Sequence, residues 1–217
     1  RPYRITLASM RPRWRTLRSM LAIGAPSFLA GLGATSIVAV VNASLAAYGA
    51  AALAAFAVAA RVQTFVTMPQ IGITQGTQPV VSFSAGAGLL ARVSRAATLS
   101  TRATLAYGAL VGLAVILAAE PIVAVFLDPG AARDTAVTAL RIIALGFAFS
   151  GVAPLVSGLF QAVGEPRPSY VLSVGTVILI RLPLVAVLSA AGPQGIWIAL
   201  PLGELLSAAV AGVLLRR

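Results

Sequence analysis

The chain has 217 residues, 59% of them hydrophobic and only 10% charged, with a mean hydropathy of +0.97 and a formal net charge of +11. Soluble domains carry about 25% charged residues, so an ordinary soluble domain is excluded. With no Cys and no His, disulfides, thiolate metal sites and the commonest proton switch are excluded as well.

In chain order, charge-free runs cover 19–60, 62–91, 103–119, 142–164 and 168–180. About 20 apolar residues at ~1.5 Å rise each span a ~30 Å hydrocarbon core. Five or more such runs in succession do not fit one soluble core, so the chain reads as an all-α integral membrane protein. The runs predict six spans, at about 20–41, 49–79, 99–119, 135–163, 169–190 and 195–215. The segment 1–19 mixes six Arg with Tyr3, Ile5, Leu7, Trp14 and Leu17. It suits either a cytoplasmic basic connector or an interfacial stretch against anionic headgroups. The first residue is Arg rather than Met, which raises the expectation of a longer polypeptide from which 20–217 forms one six-helix lobe.

The second span is longer than a bilayer requires and contains Pro69, followed by Gly72 and Gly76. Proline removes a backbone donor and clashes with the preceding turn, so a kink is expected there, with Pro69, Gly72 and Gly76 as hinge candidates. Pro26, Pro154, Pro183 and Pro201 fall in four other spans, a pattern suited to helices that bend during transport. The glycine pairs Gly72/Gly76 and Gly108/Gly112 have the spacing that lets helices pack closely.

Arg placement sets the expected topology. Arg92, Arg95, Arg102 and Arg167 occupy alternate breaks between spans, and Arg216 and Arg217 close the chain. The breaks near 43–49 and 190–194 have no Arg, and the one near 120–134 has Arg133 among Glu120, Asp128 and Asp134. Positive residues collect on the cytoplasmic side, so a multi-pass protein of the plasma (inner) membrane with both termini cytoplasmic is expected. The net positive charge is topogenic on this reading and nucleic acid is not an expected partner; aromatic stacking platforms are absent from the basic stretches.

Ionisable groups within spans are functional candidates. Glu204 lies halfway along the sixth span. Arg181 precedes the turn near Gly192 by about as many residues as Glu204 follows it, which places the two at similar depth. They either neutralise one another structurally or handle protons or substrate, and the sequence leaves both open. Arg61 and Gln63 complete the substrate or ion pathway candidates, although residues two apart do not share a helix face. Arg141 is expected to snorkel outward toward Asp134. No serine elbow, phosphate-cradling loop, metal cluster or catalytic pair is found, so no enzymatic role and no cofactor are expected.

Several stretches resemble multidrug and toxic compound extrusion (MATE) transporters. Met68-Pro69-Gln70-Ile71-Gly72-Ile73-Thr74-Gln75-Gly76-Thr77-Gln78-Pro79, with Ser82 and Gly86-Ala87-Gly88 after it, is similar to that family's eighth helix and following loop. Leu140-Arg141-Ile142-Ile143-Ala144 through Phe160–Arg167, the run from Gly195 to Glu204, and Gly24-Ala25-Pro26-Ser27 resemble further segments in order. The likeness is greatest to the prokaryotic DinF-like and multidrug efflux branch.

The resemblance implies a twelve-helix transporter of two six-helix lobes, of which this chain is the C-terminal one and an N-terminal lobe the missing partner. It further implies efflux of cationic or amphiphilic compounds in exchange for sodium or protons, beside membrane lipid. Sodium-coupled relatives carry an acid in the helix that corresponds to the first span, where this chain has about Ala34; Glu204 is the one deep carboxylate here. A lipid-linked oligosaccharide or lipid flippase of the same superfamily, and a non-transporting membrane scaffold, are the alternatives. The Gln75-Gly76-Thr77-Gln78-Pro79 cluster favours the antiporter over the flippase.

Overall fold

The computed structural model describes residues 14–216, and every regular element among them is helical. The elements are α1 (Trp14–Ala46), α2 (Ala50–Gly86), α3 (Leu90–Leu117), α4 (Ala119–Ala124), α5 (Ala131–Ala144), α6 (Phe147–Ser150), α7 (Val152–Ala162), α8 (Pro166–Tyr170), α9 (Leu182–Ser189) and α10 (Pro193–Leu215). Two π-helical stretches, Val171–Gly175 and Val177–Arg181, join α8 to α9 as one rod over Pro166–Ser189. Among the described residues five helices are long and apolar enough to cross a membrane, and α5 with α6–α7, bent by 49°, makes a sixth if the pair is one crossing.

Several boundaries differ from expectation, the end of α2 at Gly86 rather than about 79 among them. The first helix already includes Trp14, before Met20, and continues to Ala46; the rest of the expected basic connector, 1–13, lies outside the described residues. Helix α3 starts at Leu90, about two turns before Leu99, so Arg92 and Arg95 lie on helix rather than in a loop. A charge-free run marks the part of a helix inside hydrocarbon, and hydrogen bonding carries the helix beyond it. The fourth crossing is broken rather than continuous.

That break lies at Leu145–Gly146, eight residues before Pro154. There the ladder tightens: the Leu145 and Gly146 amides donate to Ile142 and Ile143 carbonyls, three residues back. A Cβ on Gly146 would stand 2.8 Å from Pro201 Cα, so the bare backbone lets α10 press into the bend. In contrast, α2 runs unbroken from Ala50 to Gly86 through both Pro69 and Pro79.

Helix α2 is the hub, packing on α3, α5 and α7. The main core joins Val58, Val62 and Val66 of α2 to Leu140 and Ile143 of α5 and to Ile196 and Trp197 of α10. Gly108 and Gly112 make the expected close approach: a Cβ on Gly112 would lie 2.9 Å from the Ala144 carbonyl oxygen. Gly72 and Gly76 do not, since nothing lies within 4 Å of a Cβ at either. Large apolar side chains such as Phe28, Phe65, Phe83 and Leu179 are exposed, as befits a lipid-facing or partner-facing perimeter.

The turns at the two ends sort by charge. Tyr48 Oη, in the α1–α2 turn, donates to the Ser189 carbonyl at 2.7 Å, and Asp134 lines a surface hollow with Pro193 and Gln194. At the opposite end Val81 and Leu159 pack with Val93 and Ala162, which brings the Arg92/Arg95 and Arg167 turns together. Gly192, at φ 87°, permits the tight reversal that sets α9 beside α10.

Candidate functional site

The crossing Pro166–Ser189 has no charged side chain in its middle except Arg181, which ends the second π-helical stretch. In each stretch an amide reaches five residues back, Thr176 to Val171 and Leu182 to Val177. Such turns admit an extra residue and re-aim whatever follows. Pro183 sits in the first turn of α9, where its missing N–H is tolerated. Gly33 of α1 meets the same region, where a Cβ would lie 3.0 Å from Val177 Cγ2.

Arg181 reaches α10. Its Nη2 donates to Glu204 Oε2 at 2.6 Å, and its Nε donates to Ser207 Oγ at 3.2 Å. Ser207, fully buried, donates in turn to the Gly203 carbonyl at 2.7 Å. This is the one salt bridge among the described residues, with the Arg and Glu side chains 22% and 13% exposed. A charge at membrane depth is costly unless paired, and here each charge has its counter-ion.

Two cavities meet at Arg181. The first, about 270 Å³, is lined by Glu204 and Arg181 together with Gln63, Thr64, Thr67 and Phe56. The second, about 560 Å³, has Arg181 as its single charged side chain among neutral polar groups including Ser27, Gln75, Gln78 and Gln161. Ala34, Ile37 and Arg181 border both. A hydrogen-bonded ladder follows the second wall: Ser27 Oγ donates to Gln161 Oε1 at 2.8 Å, and Gln161 Nε2 donates to Ser157 Oγ at 3.2 Å. Ser157 and Ser173 hydroxyls lie 3.4 Å apart. Tyr170 turns away to donate to the Ala22 carbonyl at 3.3 Å.

The structure therefore brings Glu204, Arg181 and Gln63 to one cavity. Arg61, on the other side of α2, is exposed and lines neither cavity. Pro69, Gly72 and Gly76 lie on the exposed side of α2. Arg141 is exposed and forms no ion pair with Asp134.

One polar residue escaped sequence reasoning. Gln70 is 2% exposed, donates from Nε2 to the Phe147 carbonyl at 3.2 Å and accepts from Ser150 Oγ at 3.0 Å. It fills the space left by Gly151, where a Cβ would come within 2.8 Å of Gln70 Cδ. Its signal in the sequence was a Gln amid an apolar helix, one position after Pro69.

Comparisons with known proteins agree with this architecture. The MatE family model matches residues 26–187. The chain is 25% identical over 198 residues to the "FAD transporter" of Shewanella oneidensis, covering 91% of this chain and 43% of that protein. It is 27% identical over 214 residues to the "Probable multidrug resistance protein NorM" of Xanthomonas axonopodis pv. citri, covering 95% and 46%. Among solved structures, an outward-facing multidrug resistance MATE family transporter of the MOP superfamily superposes with a TM-score of 0.89 at 21% identity, over 98% of this chain and 48% of that one. A MOP superfamily transporter from Pyrococcus furiosus superposes with a TM-score of 0.88 at 21% identity, again over 98% and 48%. The chain thus spans about half the length of the relatives it matches. With its apolar crossings, its paired intramembrane charges and a family match over most of its length, this multi-pass membrane chain belongs to the MatE family.

Proposed function

We propose that the chain is one six-helix lobe of a cation-coupled efflux antiporter that expels cationic or amphiphilic small molecules by alternating access. The observation that carries this reading is the pair of cavities inside the lobe that share Arg181, the basic member of the intramembrane ion pair. A static scaffold has no use for polar cavities beside a buried charge pair, which cost stability without improving packing. Transporter sites lie near the midplane between broken helices, and here the bent fourth crossing and the π-helical fifth supply the breaks. Glu204 is the carboxylate available in this lobe to a coupling sodium ion or proton, and a second six-helix lobe is the partner that completes the pathway. The relatives are named for transport and export rather than for catalysis, in keeping with a non-enzymatic role.

The test is export from proteoliposomes holding the complete transporter that contains this chain. Ethidium, a fluorescent cation, should leave against its gradient when a sodium or proton gradient is imposed. Export indifferent to both gradients would remove the antiport reading.

A further inference from the structure

We infer that Arg181 is a binding site for an anionic group, a carboxylate or phosphate-type oxyanion, entering from the larger cavity, with Glu204 as the built-in surrogate that such a group displaces. The inference rests on the transport reading and names the part of an amphiphilic substrate that this lobe takes.

A guanidinium offers five N–H donors. Among the described residues Arg181 uses two, one to Glu204 and one to Ser207. That leaves three donors on a side chain only 22% exposed. They are not sealed in apolar packing, because Arg181 borders both cavities. Glu204 likewise uses only Oε2, so the pair is joined by one N–H···O bond where a carboxylate and an arginine can form two. The arrangement is a half-used fork on a residue that borders open space.

The surroundings select the sign of charge. The larger cavity contains no acid; its other polar groups are Ser, Thr and Gln side chains. A cation there would find no counter-ion and would meet the positive Arg181. An oxyanion would find the guanidinium at one border of the cavity and neutral polar side chains such as Gln75 and Gln78 farther along its wall. In the smaller cavity Glu204 faces the same Arg181, so an anion bound at the fork frees the carboxylate on that side. Phe56 lines the smaller cavity and stacks on buried Trp197 at a centroid distance of 6.5 Å, so Trp197 lies one ring away from the space that borders the fork.

Trp197 supplies the readout. In detergent-purified chain carrying Trp14→Phe, Trp197 is the single tryptophan, and quenching by 4-nitrobenzoate reports binding. The amine of matching size, 4-nitrobenzylammonium, is the control. Nitrobenzoate should quench saturably and nitrobenzylammonium should not. Arg181→Gln should abolish the saturable quenching. Because that variant strands Glu204 and could fail to fold, Glu204→Gln is the decisive partner. Removing an intramolecular competitor present at high effective concentration should tighten nitrobenzoate binding about tenfold, a gain that misfolding cannot imitate. Transfer to nanodiscs identifies the natural source. Loss of nitrobenzoate binding in phosphatidylglycerol but not phosphatidylcholine points to the headgroup of an anionic lipid, and binding unaffected by either points to a soluble anion. Equal quenching by the amine, or an unchanged affinity in Glu204→Gln, overturns the inference. Ethidium export reports on the transport reading alone, so the two fail separately.

Discussion

The stem of Arg181 crosses α10 over Gly203: a Cβ at that glycine would lie 3.3 Å from Arg181 Cγ. The residue after it, Glu204, receives the guanidinium at 2.6 Å. The ion pair is therefore set by a missing methyl group as much as by charge. Gly203→Val should push the stem aside and cost about 1–3 kcal/mol, the usual range for overpacking. Thermal unfolding in detergent checks this, and a variant as stable as the parent would show that the stem has free room.

Removing charges should separate pairing from a working role. Arg181→Leu alone strands a carboxylate at membrane depth and should cost about 3–5 kcal/mol, as broken buried pairs do. Arg181→Leu combined with Glu204→Leu should recover most of that stability. If Glu204 takes up the coupling ion, the double variant folds but does not export ethidium; full export by the double variant would reduce the pair to architecture.

The glycines make opposite demands on the fold. At Gly108 a Cβ would collide with the Phe147 carbonyl and lie 2.9 Å from Ala148 Cα, so Gly108→Ala should destabilise by about 1–3 kcal/mol. Gly72 has nothing within 4 Å, and Gly72→Ala should be neutral in the isolated lobe or stabilise it by up to about 1 kcal/mol through helix propensity. Thermal shifts of equal sign in the two variants would contradict this division. A cost at Gly72 that appears only in the complete transporter would place the other lobe against that face.

The six crossings and the Arg181–Glu204 pairing were legible because both rest on counting residues from charges and turns. Counting fails where one inserted residue changes the phase. The π-helical turns before Arg181 leave no mark in a run such as Val177-Ile178-Leu179-Ile180, which is equally apolar in any register. Face assignment failed for a related reason. In a helix that meets protein on one side and lipid on the other, both sides are apolar, so nothing distinguished buried Gln70 from exposed Gln75. The bend fell at Gly146 rather than Pro154 because close packing against Pro201 decides it, and that neighbour is remote in sequence.

The clustering of the α2–α3 and α7–α8 turns at one end gives the arginine asymmetry a spatial form. A Cys at Arg92 or Arg167 should be shielded from an impermeant maleimide in intact cells, whereas a Cys at Asp128 or Asp134 should react. The chain has no native Cys, so labelling is free of background. External labelling at Arg92 would invert the topology.

Gln70 connects the proline of α2 to the bend of the fourth crossing. It follows Pro69 on α2 and holds the Phe147 carbonyl and the Ser150 hydroxyl, immediately past the 49° bend of the fourth crossing. Gln70→Leu removes both bonds and leaves Ser150 Oγ only its 3.1 Å bond to the Phe147 carbonyl. It should cost about 1–3 kcal/mol, the worth of two modest buried hydrogen bonds. Pro69→Ala restores a backbone donor on the exposed side of α2 and should leave insertion intact. If α2 flexes at Pro69 during export, that motion passes through Gln70 to the bend. Pro69→Ala should then slow ethidium export, and its effect should be non-additive with Gln70→Leu, as for residues that share a network. Rates in the two single variants and the double variant of the complete transporter decide the matter. Additive effects would mean that Gln70 only fastens the fourth crossing, and unchanged export in Pro69→Ala would leave the proline a passive part of a continuous helix.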